Sequence, residues 1–171
     1  YSYYTIYFGS IYRKYNNNGD YQVGGEGVFG ITEGGAWVTP FVLHPTDPKT
    51  MFAGYVNVWR CNNIRSVAIV WKKISDNLGG NNSSNMAVLE QSPANTGILY
   101  AARYNNKLFR TDNCNADSPQ WVDISANLPF TGYTPSDLSA HPTDPNTIYM
   151  TLNQGVYKST NKGFSWTNIT G

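Results

Sequence analysis

The sequence predicts an all-β fold: an arc of about three and a half four-stranded β-propeller blades. Two observations predict it. Four short markers recur in one order at a period near 48 residues, and the composition favours strands joined by tight turns. The first marker is an aliphatic-aromatic-basic triplet: Ile11-Tyr12-Arg13, Val58-Trp59-Arg60, Leu108-Phe109-Arg110 and Val156-Tyr157-Lys158. Its basic residues stand 47, 50 and 48 positions apart. The second marker precedes it: Ile6-Tyr7-Phe8-Gly9, Met51-Phe52-Ala53-Gly54, Leu99-Tyr100-Ala101-Ala102 and Ile148-Tyr149-Met150-Thr151. The third is a turn, His44-Pro45-Thr46-Asp47-Pro48, echoed by Ser92-Pro93-Ala94-Asn95 and His141-Pro142-Thr143-Asp144-Pro145. The fourth is an aromatic residue after the basic one: Tyr21, Trp71, Trp121 and Trp166.

Each element follows from these markers. Innermost strands are expected at Pro40–His44, Met86–Gln91 and Ser136–His141. The proline-Asx turn ends each one, because proline presets φ and the Asx side chain bonds its own backbone. Second strands follow at Thr50–Tyr55, Ile98–Arg103 and Thr147–Leu152, then the triplet strands, then the outermost strands with the tryptophans. Four strands at this period match a propeller blade. The repeat units are 1–37 (partial), 38–78, 79–128 and 129–171, all within one segment. The first unit lacks an innermost strand and carries a glycine-rich stretch, Gly24 to Gly35, expected as a loop insertion. Rings protect strand edges by closing, commonly with 4–8 blades. An open arc is therefore expected, completed by the rest of a parent chain or by a partner.

Twelve basic residues against eleven acidic give a net charge of +1. That balance makes no electrostatic case for nucleic acid or an anionic membrane. No apolar run approaches membrane length, the longest being Val67–Trp71. The chain begins at Tyr1 without methionine, which is expected of a processed chain or a piece of a larger one. Low charge (13%) and 13 tyrosines point to an exported protein, placed outside the cell or on its surface. Cys61 and Cys114 stand at different offsets from their triplets, so they are expected to be free rather than bonded.

The last unit contains Ser159-Thr160-Asn161-Lys162-Gly163-Phe164-Ser165-Trp166. This resembles the Asp-box of neuraminidase-type (BNR) repeats, S-x-D-x-G-x-[ST]-W, with Asn161 in place of the usual aspartate. The opening survives at Arg110-Thr111-Asp112-Asn113, only the turn and an aromatic at Asn16 to Tyr21, and little but the tryptophan between Trp59 and Trp71. Phrases such as Trp121-Val122-Asp123-Ile124-Ser125-Ala126-Asn127-Leu128-Pro129 extend the likeness over nearly the whole chain. It resembles sortilin-like and xyloglucanase-like propellers, most of all the exported type IX secretion repeat proteins of Bacteroidetes. The resemblance implies that Ser159, Asn161, Gly163, Ser165 and Trp166 form a peripheral folding device, with Trp166 packed between sheets.

Arg13, Arg60 and Arg110 could mimic a sialidase arginine cluster, but one residue per unit reads as framework. His44 and His141 are matched in the same way, with Ser92 between them, and read as strand-end hydrogen-bonding groups rather than metal ligands. Asn16, Asn18 and Asp20 alternate like part of a calcium loop but supply one carboxylate and no closing glutamate. No cofactor or metal is expected. The acids outside the repeat are Glu26, Glu33, Glu90, Asp117 and Asp137. Glu33 and Asp137 lie nearest the innermost strands and are the best placed for a glycosidase carboxylate pair. Asn81-Asn82-Ser83, Asn82-Ser83-Ser84 and Asn168-Ile169-Thr170 are sequons. Trp37, Phe130 and Tyr133, outside the framework, are candidate binding residues for a glycan or protein partner. The contacting surface is expected on the loops 24–37, 79–85 and 129–135. The reading is a non-catalytic extracellular module for adhesion, display or assembly. The alternative is a fragment of a xyloglucanase-type propeller glycoside hydrolase.

Overall fold

A computed structural model describes residues 1–16, 18–78 and 83–171. The asparagines of the sequons at 81–84, with the rest of residues 79–82 in the loop 79–85, lie outside the described residues. Among the described residues fifteen strands form four antiparallel sheets. The first sheet holds three: β1 (Ser2–Thr5), β2 (Ile11–Lys14) and β3 (Tyr21–Gly24). The second holds β4 (Phe41–Leu43), β5 (Met51–Gly54), β6 (Val58–Cys61) and β7 (Trp71–Lys73). The third holds β8 (Met86–Gln91), β9 (Leu99–Arg103), β10 (Lys107–Thr111) and β11 (Trp121–Asp123), and the fourth β12 (Asp137–Ala140), β13 (Ile148–Leu152), β14 (Gly155–Ser159) and β15 (Thr167–Asn168). Strand order within each sheet is the chain order, as the sequence predicts.

Each sheet is too thin to bury itself and packs on its neighbours. The three core clusters lie between sheets one and two, two and three, and three and four. None joins the first sheet to the fourth among the described residues, so the sheets form an open arc. Side chains alternate across each sheet, so one parity faces forward and the other back. Tyr3, Phe52 and Tyr100 sit opposite Arg13, Arg60 and Arg110 in register, all on forward faces.

Polar contacts repeat at each joint. Arg13 Nη1 donates to Ile64 O (2.7 Å) and Ser66 O (2.9 Å) in the outer loop of sheet two. Arg60 Nη1 donates to Cys114 O (2.7 Å) and Ala116 O (2.9 Å) of sheet three, and Arg110 Nη1 to Lys162 O (2.9 Å) of sheet four. Indoles latch in the opposite direction: Trp71 Nε1 donates to Val23 O (2.7 Å), and Trp121 Nε1 to Ile74 O (2.9 Å). The arginines are therefore dispersed one per joint as framework.

The turns are held as their residues imply. His44 Nδ1 accepts from the amides of Thr46 and Asp47, and His141 Nδ1 from those of Thr143 and Asp144. Ser92 Oγ accepts from the Asn95 amide in the same place. Asp47 and Asp144 each accept an amide and a threonine hydroxyl, which hold both carboxyls below their usual range.

Three expectations are corrected. Ile6-Tyr7-Phe8-Gly9 is not a strand: Tyr7–Gly9 is a 3-10 turn, and Ser2-Tyr3-Tyr4-Thr5 forms the second strand, because this hairpin loop is longer than its counterparts. Tyr21 is not the partner of the tryptophans. It pairs with Arg13, as Lys72 does with Arg60, so it faces forward, against Phe29 and Arg13. Trp166 is half-buried against the third core cluster rather than largely buried, and its Nε1 has no partner.

Candidate functional site

The loops that join second to third strands, and outermost strands to the next innermost strand, gather at one end of the sheets. There Met86 N donates to Tyr55 O (2.7 Å), joining the start of β8 to the β5–β6 turn. Trp37 stands at this end, in the connection into β4, and the β1–β2 loop brings Tyr7 and Phe8 to it. The Tyr7 and Trp37 rings lie 4.3 Å apart at a 36° tilt, and the Phe8 ring meets Trp37 edge-on at 5.4 Å. All three remain well exposed, at 58%, 59% and 61% for Tyr7, Phe8 and Trp37.

A contiguous group of exposed rings, unlike a single exposed one, marks a surface that contacts a ligand or partner. The backbone below them is fixed. Phe8 has φ 58° and ψ 33°, a left-handed conformation that costs a bulky residue roughly 1–3 kcal/mol. Gly35 N donates to Phe8 O (3.2 Å), Ile6 N to Ser10 O (2.9 Å), and the buried Tyr55 hydroxyl to Gly9 O (2.7 Å). These bonds hold Phe8 so that its ring faces Trp37 instead of the core.

Phe130 and Tyr133 stand in the corresponding connection into β12. Phe130 packs edge-on against the buried Tyr157 at 6.2 Å, and Tyr133 is exposed. No ring contact among the described residues joins them to Trp37, so the three candidates do not form one group. Tyr7 and Phe8 were missed because their segment reads as a strand. The Gly9-Ser10 pair was the signal for a turn.

Of the acidic candidates, Glu90 and Asp137 lie close enough to act on each other. Glu33 accepts from Asn57 N (2.8 Å), Asn57 Nδ2 (2.8 Å) and Trp59 Nε1 (3.0 Å), and the Arg103 guanidinium attracts it. Glu90 Oε1 accepts from Ala140 N (2.8 Å), and burial, with repulsion from Asp137, pushes its carboxyl above the usual range. Asp117 is tied to Lys72 at 2.8 Å. Among the described residues no group of three or more His, Cys, Asp or Glu could hold a metal.

In the turn at 159–166, Ser159 Oγ accepts from Gly163 N (2.8 Å), Asn161 Oδ1 from Ser165 N (2.9 Å), and Asn161 Nδ2 donates to Ser165 Oγ (2.9 Å). Gly163 has φ +86°, a conformation that favours glycine, and a Cβ there would meet Ile124 Cδ1 at 2.8 Å and push that side chain aside. The same device recurs where the sequence shows little of it. Asn113 Oδ1 accepts from Gln120 N (2.9 Å) after Thr111, and Asn63 Oδ1 from Val70 N (3.2 Å) after Cys61, whose thiol donates to it (3.2 Å). Cys61 and Cys114 are buried and free.

With this geometry, the chain is similar to segments of solved β-propeller enzymes. A GH74 enzyme from Niastella koreensis matches 75% of this chain and 22% of its own, at 17% identity and TM-score 0.54. An ancestral GH74 enzyme matches 95% and 22%, at 19% identity and TM-score 0.56. The GH74 xyloglucanase from Xanthomonas campestris matches 97% and 30%, at 15% identity and TM-score 0.53. The chain thus has the fold of part of a β-propeller and spans between a fifth and a third of those chains. No protein-family model matches it, and no curated protein does.

Proposed function

We propose that this chain is an extracellular propeller module that binds a neutral glycan on the Tyr7–Phe8–Trp37 platform. The observation that carries the reading is three exposed rings in mutual contact on a backbone held in a strained conformation. A sugar ring offers an apolar C–H face to such a platform, and nearby polar loop groups can take its hydroxyls. Among the described residues, Glu33, the nearest acid in sequence to Trp37, is engaged by three donors, which suits an uncharged ligand. The turns at 61–71, 111–121 and 159–166 support reading them as Asp-boxes, with asparagine for aspartate and a thiol, threonine or serine before it. Their peripheral place, away from the platform, suits a folding role. An exported, surface-displayed repeat protein of the type IX kind fits the same features.

The names of the similar structures favour a second reading, a segment of a glycoside hydrolase. One experiment separates them. Titration with xyloglucan and cello-oligosaccharides should show binding that Trp37→Ala weakens about tenfold or more, a change of about 1.4 kcal/mol. Binding unchanged by Trp37→Ala would overturn the platform reading. Release of reducing ends that Asp137→Asn abolishes would replace it with the hydrolase.

A further inference from the structure

We infer that Arg13, Arg65 and the Tyr3 hydroxyl form a second binding site, for the oxyanion of an acidic sugar (a carboxylate or a sulfate ester). The site lies where sheet one meets the β6–β7 loop. β1 runs from that end toward the β1–β2 loop, so the site and the Tyr7–Phe8–Trp37 platform stand at opposite ends of the sheets.

The first observation is charge. At the other two joints a carboxylate accompanies the arginine: Arg110 Nη2 donates to Asp112 Oδ2 (3.0 Å), and Arg60 Nη2 stands 3.9 Å from Asp117 Oδ1. At the first joint Tyr15 holds the place of Asp112, two residues after the arginine, and Val67 holds that of Asp117, one residue after the second loop carbonyl. Arg65 adds a second cation there, between the two residues whose carbonyls accept from Arg13 Nη1. Neither guanidinium forms an ion pair among the described residues. Asp20, the acid nearest Arg13 in sequence, acts on Tyr4, which has the opposite parity to Tyr3. Two cations are thus gathered without a counter-charge, an arrangement that an anion relieves.

The second observation is unspent donors. Arg13 uses Nη1 on the loop carbonyls, while its Nε and Nη2 make no bond among the described residues. The Tyr3 hydroxyl and Arg65 Nε are buried and make no hydrogen bond of normal geometry. Burial raises the Tyr3 pKa, and Arg65 and then Arg13 pull it back, so both guanidiniums stand near that hydroxyl. An oxyanion reaching this point takes two parallel N–H donors from a guanidinium and a third bond from the hydroxyl.

The third observation is the aromatic surround. Arg13 and Arg65 lie 5.6 Å and 4.8 Å from the Tyr1 ring centroid, and Arg13 lies 5.1 Å from that of Tyr21. The Tyr15 ring sits 4.7 Å from Tyr1, and the three rings are 42–49% exposed. Exposed rings beside the cations favour a sugar, whose C–H face stacks on them, over an acidic peptide.

The test is calorimetric titration of this chain with trigalacturonate and, in a second arm, with an O-sulfated galactotriose. At least one should bind, and the arm that binds identifies the oxyanion. Arg65→Gln should weaken binding about tenfold or more, and Tyr3→Phe about threefold or more. Raising salt from about 0.05 to about 0.5 M should weaken it as well. Trp37→Ala should leave it unchanged, which separates this site from the platform. Arg65 is used because Arg13 also fastens the joint, and equal melting temperatures of Arg65→Gln and the parent confirm that the fold is kept. No binding in either arm, or binding that Arg65→Gln leaves intact, would overturn the inference. Equally tight binding of a glutamate tripeptide would overturn the assignment to a sugar.

Discussion

The joint arginines make the sharpest quantitative claim. Arg60 is 5% exposed, and its Nη1 donates to Cys114 O and Ala116 O across the joint between sheets two and three. Arg60→Met keeps most of the stem packing and removes both bonds. A hydrogen bond from a charged donor contributes about 1.5–3 kcal/mol, so the gross loss is about 3–6. Part is recovered, because Arg60 Nε is buried without a partner and methionine has no such group to desolvate, worth about 1–3 kcal/mol. The net cost should be about 2–4 kcal/mol. For a chain of this size that lowers the melting temperature by roughly 4–16 °C, at about 2–4 °C per kcal/mol. Calorimetry or urea unfolding measures the loss. Hydrogen exchange should localise it to the Cys114 and Ala116 amides, which donate to Gly97 O in the β8–β9 turn and to Asn113 O in their own loop. Lys158→Met is the internal control: Lys158 holds the same position on the uncovered face, where it approaches the Tyr149 ring at 5.8 Å and attracts Asp144 without reaching across a joint. It should cost about 0.5 kcal/mol or less. Equal costs at the two positions, or less than about 1 kcal/mol at Arg60, would refute the idea that these cations fasten successive sheets.

Other outcomes follow from the same contacts. Trp71→Phe removes the indole bond to Val23 O and should cost about 1–3 kcal/mol, whereas Trp166→Phe, whose Nε1 has no acceptor to lose, should be near neutral; urea titrations of the two variants decide this. Asp47 and Asp144 have folded pKa values held below their unfolded ones by the Thr50 and Thr147 hydroxyls and by backbone amides. Their contribution is thus present above the unfolded value near 4 and lost as pH falls through the folded value, so Asp47→Asn with Asp144→Asn should flatten the fall of stability below about pH 4. Burial pushes the Cys114 thiol up to about 12 and raises Cys61 as well, so neither should react with a disulfide reagent at pH 8 until the chain unfolds. Cys61→Ser should leave the melting temperature within about 2 °C of the parent, since serine and threonine fill the same role at Ser159 and Thr111.

The sheets were legible in the sequence because each repeat makes the same joint, and joints impose residue types at fixed spacing. Arg13, Arg60 and Arg110 recur because each must reach carbonyls one sheet further on. His44 and His141 recur because a strand end needs an acceptor for two amides. What the sequence hid was register and loop length. A β-strand exposes its alternation only when its ends are known, and the five residues between β1 and β2 displaced the second strand of the first sheet by about four positions from its apparent marker. The same displacement concealed the platform, since Tyr7 and Phe8 read as strand residues until the turn at Gly9 removed them from the sheet.

The folding turns were hidden for a different reason. Asn63, Asn113 and Asn161 perform one task, accepting the amide that precedes each tryptophan, yet the amide lies seven residues on in two turns and four in the third. A fixed-spacing pattern sees only the short one. The task survives the insertion because the carboxamide bonds the end of the loop, whatever bulges between. The longer loops are also where Ile64, Ser66, Cys114 and Ala116 present the carbonyls that two of the joint arginines reach. In the short turn a single carbonyl, Lys162 O, remains for Arg110 Nη1, and Asp112 takes Nη2 at 3.0 Å. Loop length and latch chemistry are therefore linked: shortening the turn removes an acceptor, and a nearby carboxylate supplies the replacement. Asp112→Asn should accordingly weaken the joint between sheets three and four. Asp117→Asn should leave the neighbouring joint almost unchanged, because Arg60 already has two carbonyls and its 3.9 Å approach to the exposed Asp117 adds little. Melting curves for the two variants measure the difference, and a larger loss for Asp117→Asn would sever the link.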